Sequence, residues 1–170
     1  MGGSKSVAVT KWDTLKFSWW ENEQSGTATE IGWKLELIAT SDGRIDSVTI
    51  KPWTVTVNGE EYSGTASVAI GNNETKTLAS GTTTINHASS GYTTFSYSFS
   101  QDFTGILFSD TPLGNVSGSG SGTLTITNNG LVCIDNGTGF DTYQMFIDNC
   151  SGWDRYTPNI DNGSGWDSCG

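Results

Sequence analysis

The chain has 170 residues, 15% of them charged, and a formal net charge of −10 from 8 Lys plus Arg against 18 Asp plus Glu. That length holds one full domain plus an appendage. The acidity works against nucleic acid, whose phosphates need a basic surface, and against anionic lipid.

In chain order, "MGGSKS" lacks the apolar core of a secretory signal, and residues 1–4 read as a native start or a cloning remnant. Beyond it, strand alternation runs throughout, with no sustained helical period. "WDTLKFSWW" puts Leu15, Phe17 and Trp19 on one face and Thr14, Lys16 and Ser18 on the other. "EIGWKLELIAT" turns Ile31, Trp33, Leu35, Leu37 and Ala39 inward, with Lys34 and Glu36 toward water. "WTVTVNGEEYSG" alternates Trp53, Val55 and Val57 up to Asn58-Gly59, a dipeptide that accepts the positive φ angles of a two-residue type I′ hairpin turn. "YTTFSYSFSQDF" sets Phe95, Tyr97, Phe99 and Phe103 against Ser and Thr. "ASVAIG", "TKTLASGTTTI", "GILF" and "SGTLTIT" bring the expectation to eight or nine strands.

Short strands with one apolar face and frequent turn signals predict an all-β, two-layer antiparallel β-sandwich over 5–127. A closed barrel is the alternative. With 7 Trp, 5 Tyr and 7 Phe, aromatic side chains build much of the core. "SGSGSG" at 117–122 has the composition of a flexible linker. Because it leads straight into "TLTIT", it reads instead as a small-residue strand beside something bulky.

Catalytic chemistry has few footholds. His87 is the single histidine, and no nucleophile elbow surrounds Ser89 or Ser90. There is no phosphate-binding loop, dinucleotide fingerprint or metalloprotease motif. Glu60, Glu61, Asp42, Asp46, Asp102 and Asp110 supply carboxylates, but a glycosidase needs two converging on one cleft. The expectation is a protein that is not an enzyme, with no catalytic residues.

The stretch from Trp53 to Phe103, followed by "GSGSGTLTI", resembles a recurring immunoglobulin-like module of siphovirus minor structural, tail and host-specificity proteins. The resemblance rests on Trp53, Val55, Val57, Asn58 and Gly59, then on Lys76, Thr77, Leu78, Gly81, Ile85 and His87. Phe95, Tyr97 and Phe99 continue it, and Gly118, Gly120, Gly122, Thr123 and Leu124 close it. It implies a virion building block or adhesion module without catalysis, and a structural role for His87 at a strand end. The location implied is the virion, assembled in the cytoplasm of a bacterial host.

Residues 128–170 hold three copies of I-D-N-(G/C)-(S/T)-G-(F/W)-D at a period of 13, over 134–146, 147–159 and 160–170. So short a unit cannot fold alone. Asn and Gly accept positive φ and Asp caps turns through its side chain, so the copies are expected to form a β-meander appendage. Three readings of this region compete. Phe140, Tyr143, Trp153, Tyr156 and Trp166 beside Asp and Asn fit stacking on a bacterial surface glycan, the reading of the chain as a carbohydrate-binding module. Asp135, Asp141, Asp148, Asp154, Asp161 and Asp167 echo calcium repeats and would make a calcium-stapled adhesin. The echo is weak, because calcium wants six or more oxygens and one loop offers two Asp. The favoured reading is structural: both faces of a thin sheet are apolar, which calls for docking on other virion proteins or a homo-oligomer, with a trimer preferred. No cofactor is required. Cys133, Cys150 and Cys169 read as reduced thiols, with one disulfide and a spare as the alternative.

Overall fold

A computed structural model describes residues 1–25, 27–88 and 91–126 in full, and 131–135, 140–144, 146–148, 153–155, 159–161 and 166–168 as backbone. The described residues contain no helix. The long strands are β1 (Gly2–Ala8), β2 (Asp13–Ser25), β3 (Ala28–Ala39), β4 (Ile50–Val57), β5 (Glu60–Ser67), β6 (Thr75–Asn86) and β7 (Gly91–Asp102). A small hairpin, β8 (Leu107–Phe108) with β9 (Thr111–Pro112), precedes β10 (Asn115–Ile126). One antiparallel sheet has the order β1-β2-β3-β6 and the other β10-β7-β4-β5, which makes the expected β-sandwich.

The inward positions read from the sequence fill the space between the sheets. Leu15, Phe17, Ile31, Trp33, Leu35 and Leu37 of the first sheet meet Val55, Val57, Phe95, Tyr97, Phe99 and Leu124 of the second, all buried. Each fully buried side chain of this size contributes about 1.5–3 kcal/mol. Phe17 sits at the centre, its ring 4.7 Å from Tyr97 and 5.6 Å from Phe99. The Asn58-Gly59 turn forms as expected, with φ of 52° and 84° between paired Val57 and Glu60. At one edge β1 runs beside β10; at the other β5 runs beside β6, where the Tyr62 hydroxyl lies 3.0 Å from the Thr82 carbonyl and 2.9 Å from Thr83 Oγ1.

Glycine explains how so many rings fit. Seven glycines lie under the ring of an aromatic residue directly across a ladder: Gly3–Trp19, Gly32–Trp20, Gly81–Trp33, Gly64–Trp53, Gly118–Phe99, Gly120–Tyr97 and Gly122–Phe95. In each pair the ring leans over the glycine, and an added Cβ would come within 2.8 Å of it. Rings covering cross-strand glycines keep the strands covered where side chains are missing. "SGSGSG" is therefore strand: Gly118, Gly120 and Gly122 face inward under Phe99, Tyr97 and Phe95, and the serines face out.

Four segments differ from the sequence reading. The ladder begins at Gly2, not Lys5, because Gly3 is the seat of Trp19. "ASVAIG" supplies only the end of β5 and an isolated Ile45–Ile70 bridge. "GILF" shrinks to the two residues of β8. Glu36 does not face open water: its side chain is 8% exposed and pairs with Lys34 Nζ at 2.7 Å. β3 lies inside the sheet, so neighbours on both flanks cover that carboxylate.

In the C-terminal region, β11 (Leu131–Asp135) pairs with β12 (Phe140–Gln144), β13 (Phe146–Asp148) with β14 (Trp153–Arg155), and β15 (Asn159–Asp161) with β16 (Trp166–Ser168). Each ladder brackets the middle of one repeated phrase. Each ladder starts before the first Ile of its copy, so Phe146 of copy one pairs with Arg155 of copy two and Asn159 of copy two with Ser168 of copy three. The expected meander joining the ladders lies outside the described residues.

Candidate functional site

The outer face of the second sheet is a hydroxyl field. Register sets Ser117, Ser100, Thr54 and Ser63 in one row, and Ser119, Ser98, Thr56 and Glu61 in the next. Two shallow hollows of about 350 Å³ each lie along β4, β7 and β10 and share Ser98 and Ser119. The face has this character because the aromatic and glycine positions of β7 and β10 both point inward, leaving Ser and Thr outside. Apart from Glu61 on the edge strand β5, these rows offer hydrogen bonds without charge.

The first sheet's outer face is different. Its rows run Ser6-Lys16-Glu36-Thr77, Ser4-Ser18-Lys34-Ser80 and Gly2-Trp20-Gly32-Thr82. Trp20 is 39% exposed and leans over buried Gly32, where a Cβ would sit 2.5 Å from Cε2 and 2.6 Å from Nε1 and Cζ2. Of the seven ring-over-glycine pairs, this one alone faces outward. Beside it, a bulge at Asn22 lets Asn22 Nδ2 donate to Glu30 Oε1 at 2.9 Å. The signal in the sequence is the Trp19-Trp20 pair: neighbours in an alternating strand face opposite ways, so an inward Trp19 puts Trp20 outside.

His87 is committed to structure. Its Nδ1 lies 2.6 Å from the Ala88 carbonyl, which can only accept, so in the neutral ring Nδ1 carries the proton. Nε2 then accepts from Thr29 Oγ1 at 2.8 Å, and Thr29 is fully buried. Gln24 Nε2 donates both to Thr29 Oγ1 and to the Thr125 carbonyl, tying the ends of β2, β3, β6 and β10 together. Ser89 and Ser90 lie outside the described residues.

Asp13, unremarkable in the sequence, is buried at the start of β2. Its Oδ2 accepts from Thr10 Oγ1 at 2.7 Å, while Oδ1 has no hydrogen-bond partner within the protein. Burial raises its pKa above the ordinary carboxylate value, against the opposing Thr10 bond. Asp102, by contrast, is held below its ordinary value by hydrogen bonds from Thr104. Gln101, also buried, donates to the Pro52 and Asp102 carbonyls at 3.1 Å each.

Of the repeat candidates, Phe140, Trp153 and Trp166 each open a returning strand, opposite Asp135, Asp148 and Asp161. Asp141, Asp154 and Asp167 sit on the adjoining rungs, opposite Ile134, Ile147 and Ile160. Tyr143 lies within β12, opposite Val132. Tyr156, and the side chains of all these residues, lie outside what the structure describes. Among the described residues no group of three or more His, Cys, Asp or Glu is placed to hold a metal. No protein-family model matches the chain, and no curated protein or solved structure gives a significant match.

Proposed function

We propose that this chain is a non-enzymatic structural component of a tailed-phage virion, in which an immunoglobulin-like sandwich carries a repeat appendage that makes assembly contacts. One observation carries the reading: the β7–β10 register. The closing strand's Gly118, Gly120 and Gly122 lie opposite Phe99, Tyr97 and Phe95, so the two motifs of the phage-module resemblance form one packing unit. Strand order supports the finer fold name. Counting the long strands from β2 and passing over the β8–β9 hairpin, the first, second and fifth pair in one sheet and the third, sixth and seventh in the other, as in an immunoglobulin constant domain. Two things differ: the fourth strand lies beside the third, and β1 adds an outer strand beside β2.

Light scattering on the full chain and on a chain lacking residues 131–170 tests the assembly role. A three-chain mass that falls to one on deletion supports it; a monomer in both cases overturns it. Antibody against the sandwich should decorate tails in electron micrographs of the parent particle, and unlabelled particles would remove the virion assignment. The second reading places a host glycan on the repeats. It predicts that Trp153→Ala and Trp166→Ala abolish binding to host envelope polysaccharide while leaving the mass unchanged.

A further inference from the structure

We propose that Trp20 is a sugar-stacking platform: the outer face of the first sheet binds the apolar face of an uncharged hexopyranose in a polysaccharide. The inference goes beyond the assembly role and stands on residues apart from the repeats. Six of the seven ring-over-glycine pairs point into the sandwich, where covering a glycine also fills the core. Trp20 gains no core contact from its position. Its indole rests on Gly32 on one side, and its other cross-strand neighbour is Gly2, so no side chain rises beside it on either flanking strand. The ring is seated on Gly32, and Trp20 stays 39% exposed.

Polar groups frame that seat at strand spacing, with adjacent same-face rungs about 6.8 Å apart. Ser18, Lys34 and Ser80 lie on one neighbouring rung; on the other side, Glu23, Glu30 and Thr84 share a rung beside bulged Asn22. A pyranose needs this combination, because its C–H face packs on an aromatic ring while equatorial hydroxyls reach outward to donors and acceptors at its rim. Charge selects the ligand. Lys34 is paired with Glu36, Glu30 already accepts from Asn22 and lies across from Glu23, and the chain carries −10. Carboxylates therefore outnumber cations around the ring and the field repels a polyanion; the unpaired cation of this face, Lys16, stands two rungs away.

Affinity electrophoresis of the full chain through gels containing dextran, laminarin or galactomannan, with heparin as the polyanion control, tests the site. The expected result is retardation by at least one neutral polymer and none by heparin. Trp20→Ala should weaken that retardation about tenfold or more, equivalent to about 1.4 kcal/mol. Trp20→Tyr should retain part of it, and Trp153→Ala with Trp166→Ala should leave it intact. Circular dichroism melts of each variant separate lost binding from lost folding, and Trp20→Tyr keeps the test decisive if Trp20→Ala unfolds. No retardation by any neutral polymer, or undiminished retardation of a folded Trp20→Ala, overturns the proposal. Loss confined to the repeat variants would move the sugar site to the repeats and also overturn it. A self-association broken by Trp20→Ala without polysaccharide binding would make the face a contact between copies, and the sugar site would fall with it.

Discussion

The two outer faces of the sandwich share a ladder geometry and differ in what it displays. In the second sheet all four ring-over-glycine pairs, at Phe95, Tyr97, Phe99 and Trp53, turn inward, and the outside is left to Ser and Thr. The first sheet turns Trp19 and Trp33 inward and Trp20 outward, among charged side chains. The lesson is that one packing device builds a core or a surface feature according to the parity of its position. A single-residue slip would exchange the two.

The comparison breaks most severely from the inside. Phe99→Ala should cost about 3–5 kcal/mol in urea unfolding, because the ring is buried and covers Gly118. Gly122→Val comes next. Its Cβ would sit 2.3 Å from Phe95 Cζ and 2.8 Å from Trp19 Cζ2, and overpacking of this kind costs about 1–3 kcal/mol or more. The outward neighbour sharpens the point: Ser121→Val in the same strand should stay within about 0.5 kcal/mol. Tyr62→Phe removes the clasp to Thr82 and Thr83 and should cost about 1 kcal/mol.

Asp13 gives a smaller, pH-dependent effect. Its folded pKa is raised above the ordinary 3.8, so the folded state holds this proton more tightly than the unfolded chain. The resulting stabilisation is complete below pH 3.8 and disappears as pH rises through the folded value. The melting temperature of Asp13→Asn relative to the native chain should therefore be highest near neutrality and fall on acidification toward pH 4. Smallest of all, Ser98→Ala on the hydroxyl field should shift stability by less than about 0.5 kcal/mol.

Most of the sandwich was legible because burial on one face writes a period of two into the chain. Leu15 to Trp19, Ile31 to Ala39 and Phe95 to Phe99 all face as their alternation dictates. Two kinds of feature were not legible. Gly2 and Gly3 carry no pattern, and their place in β1 comes from Trp19 lying across the ladder, a pairing between distant segments. Glu36 and Asp13 look solvated by residue type and are covered only because β3 has neighbours on both flanks and the loop at Gly43 closes against Asp13. The Trp20 seat was half legible: alternation placed the ring outside, but only register could put Gly32 beneath it.

The way β10 is held has a mechanical consequence. Twelve rungs join it to β7, from Asn115–Asp102 to Ile126–Gly91, and the chain leaves for the repeats at the Ile126 end. Beside it, Val7 lies near Gly118 while Trp19, the partner of Gly3, lies near Gly122, so β1 runs antiparallel to β10. The amino terminus and the exit to the repeats therefore emerge at the same end. Tension between those two points would unzip β10 rung by rung, starting at the Gln24 bond to Thr125. Tension between the repeats and an attachment at the opposite end would load all twelve rungs in shear at once. The same strand is a weak joint or a strong one according to where its neighbour takes hold.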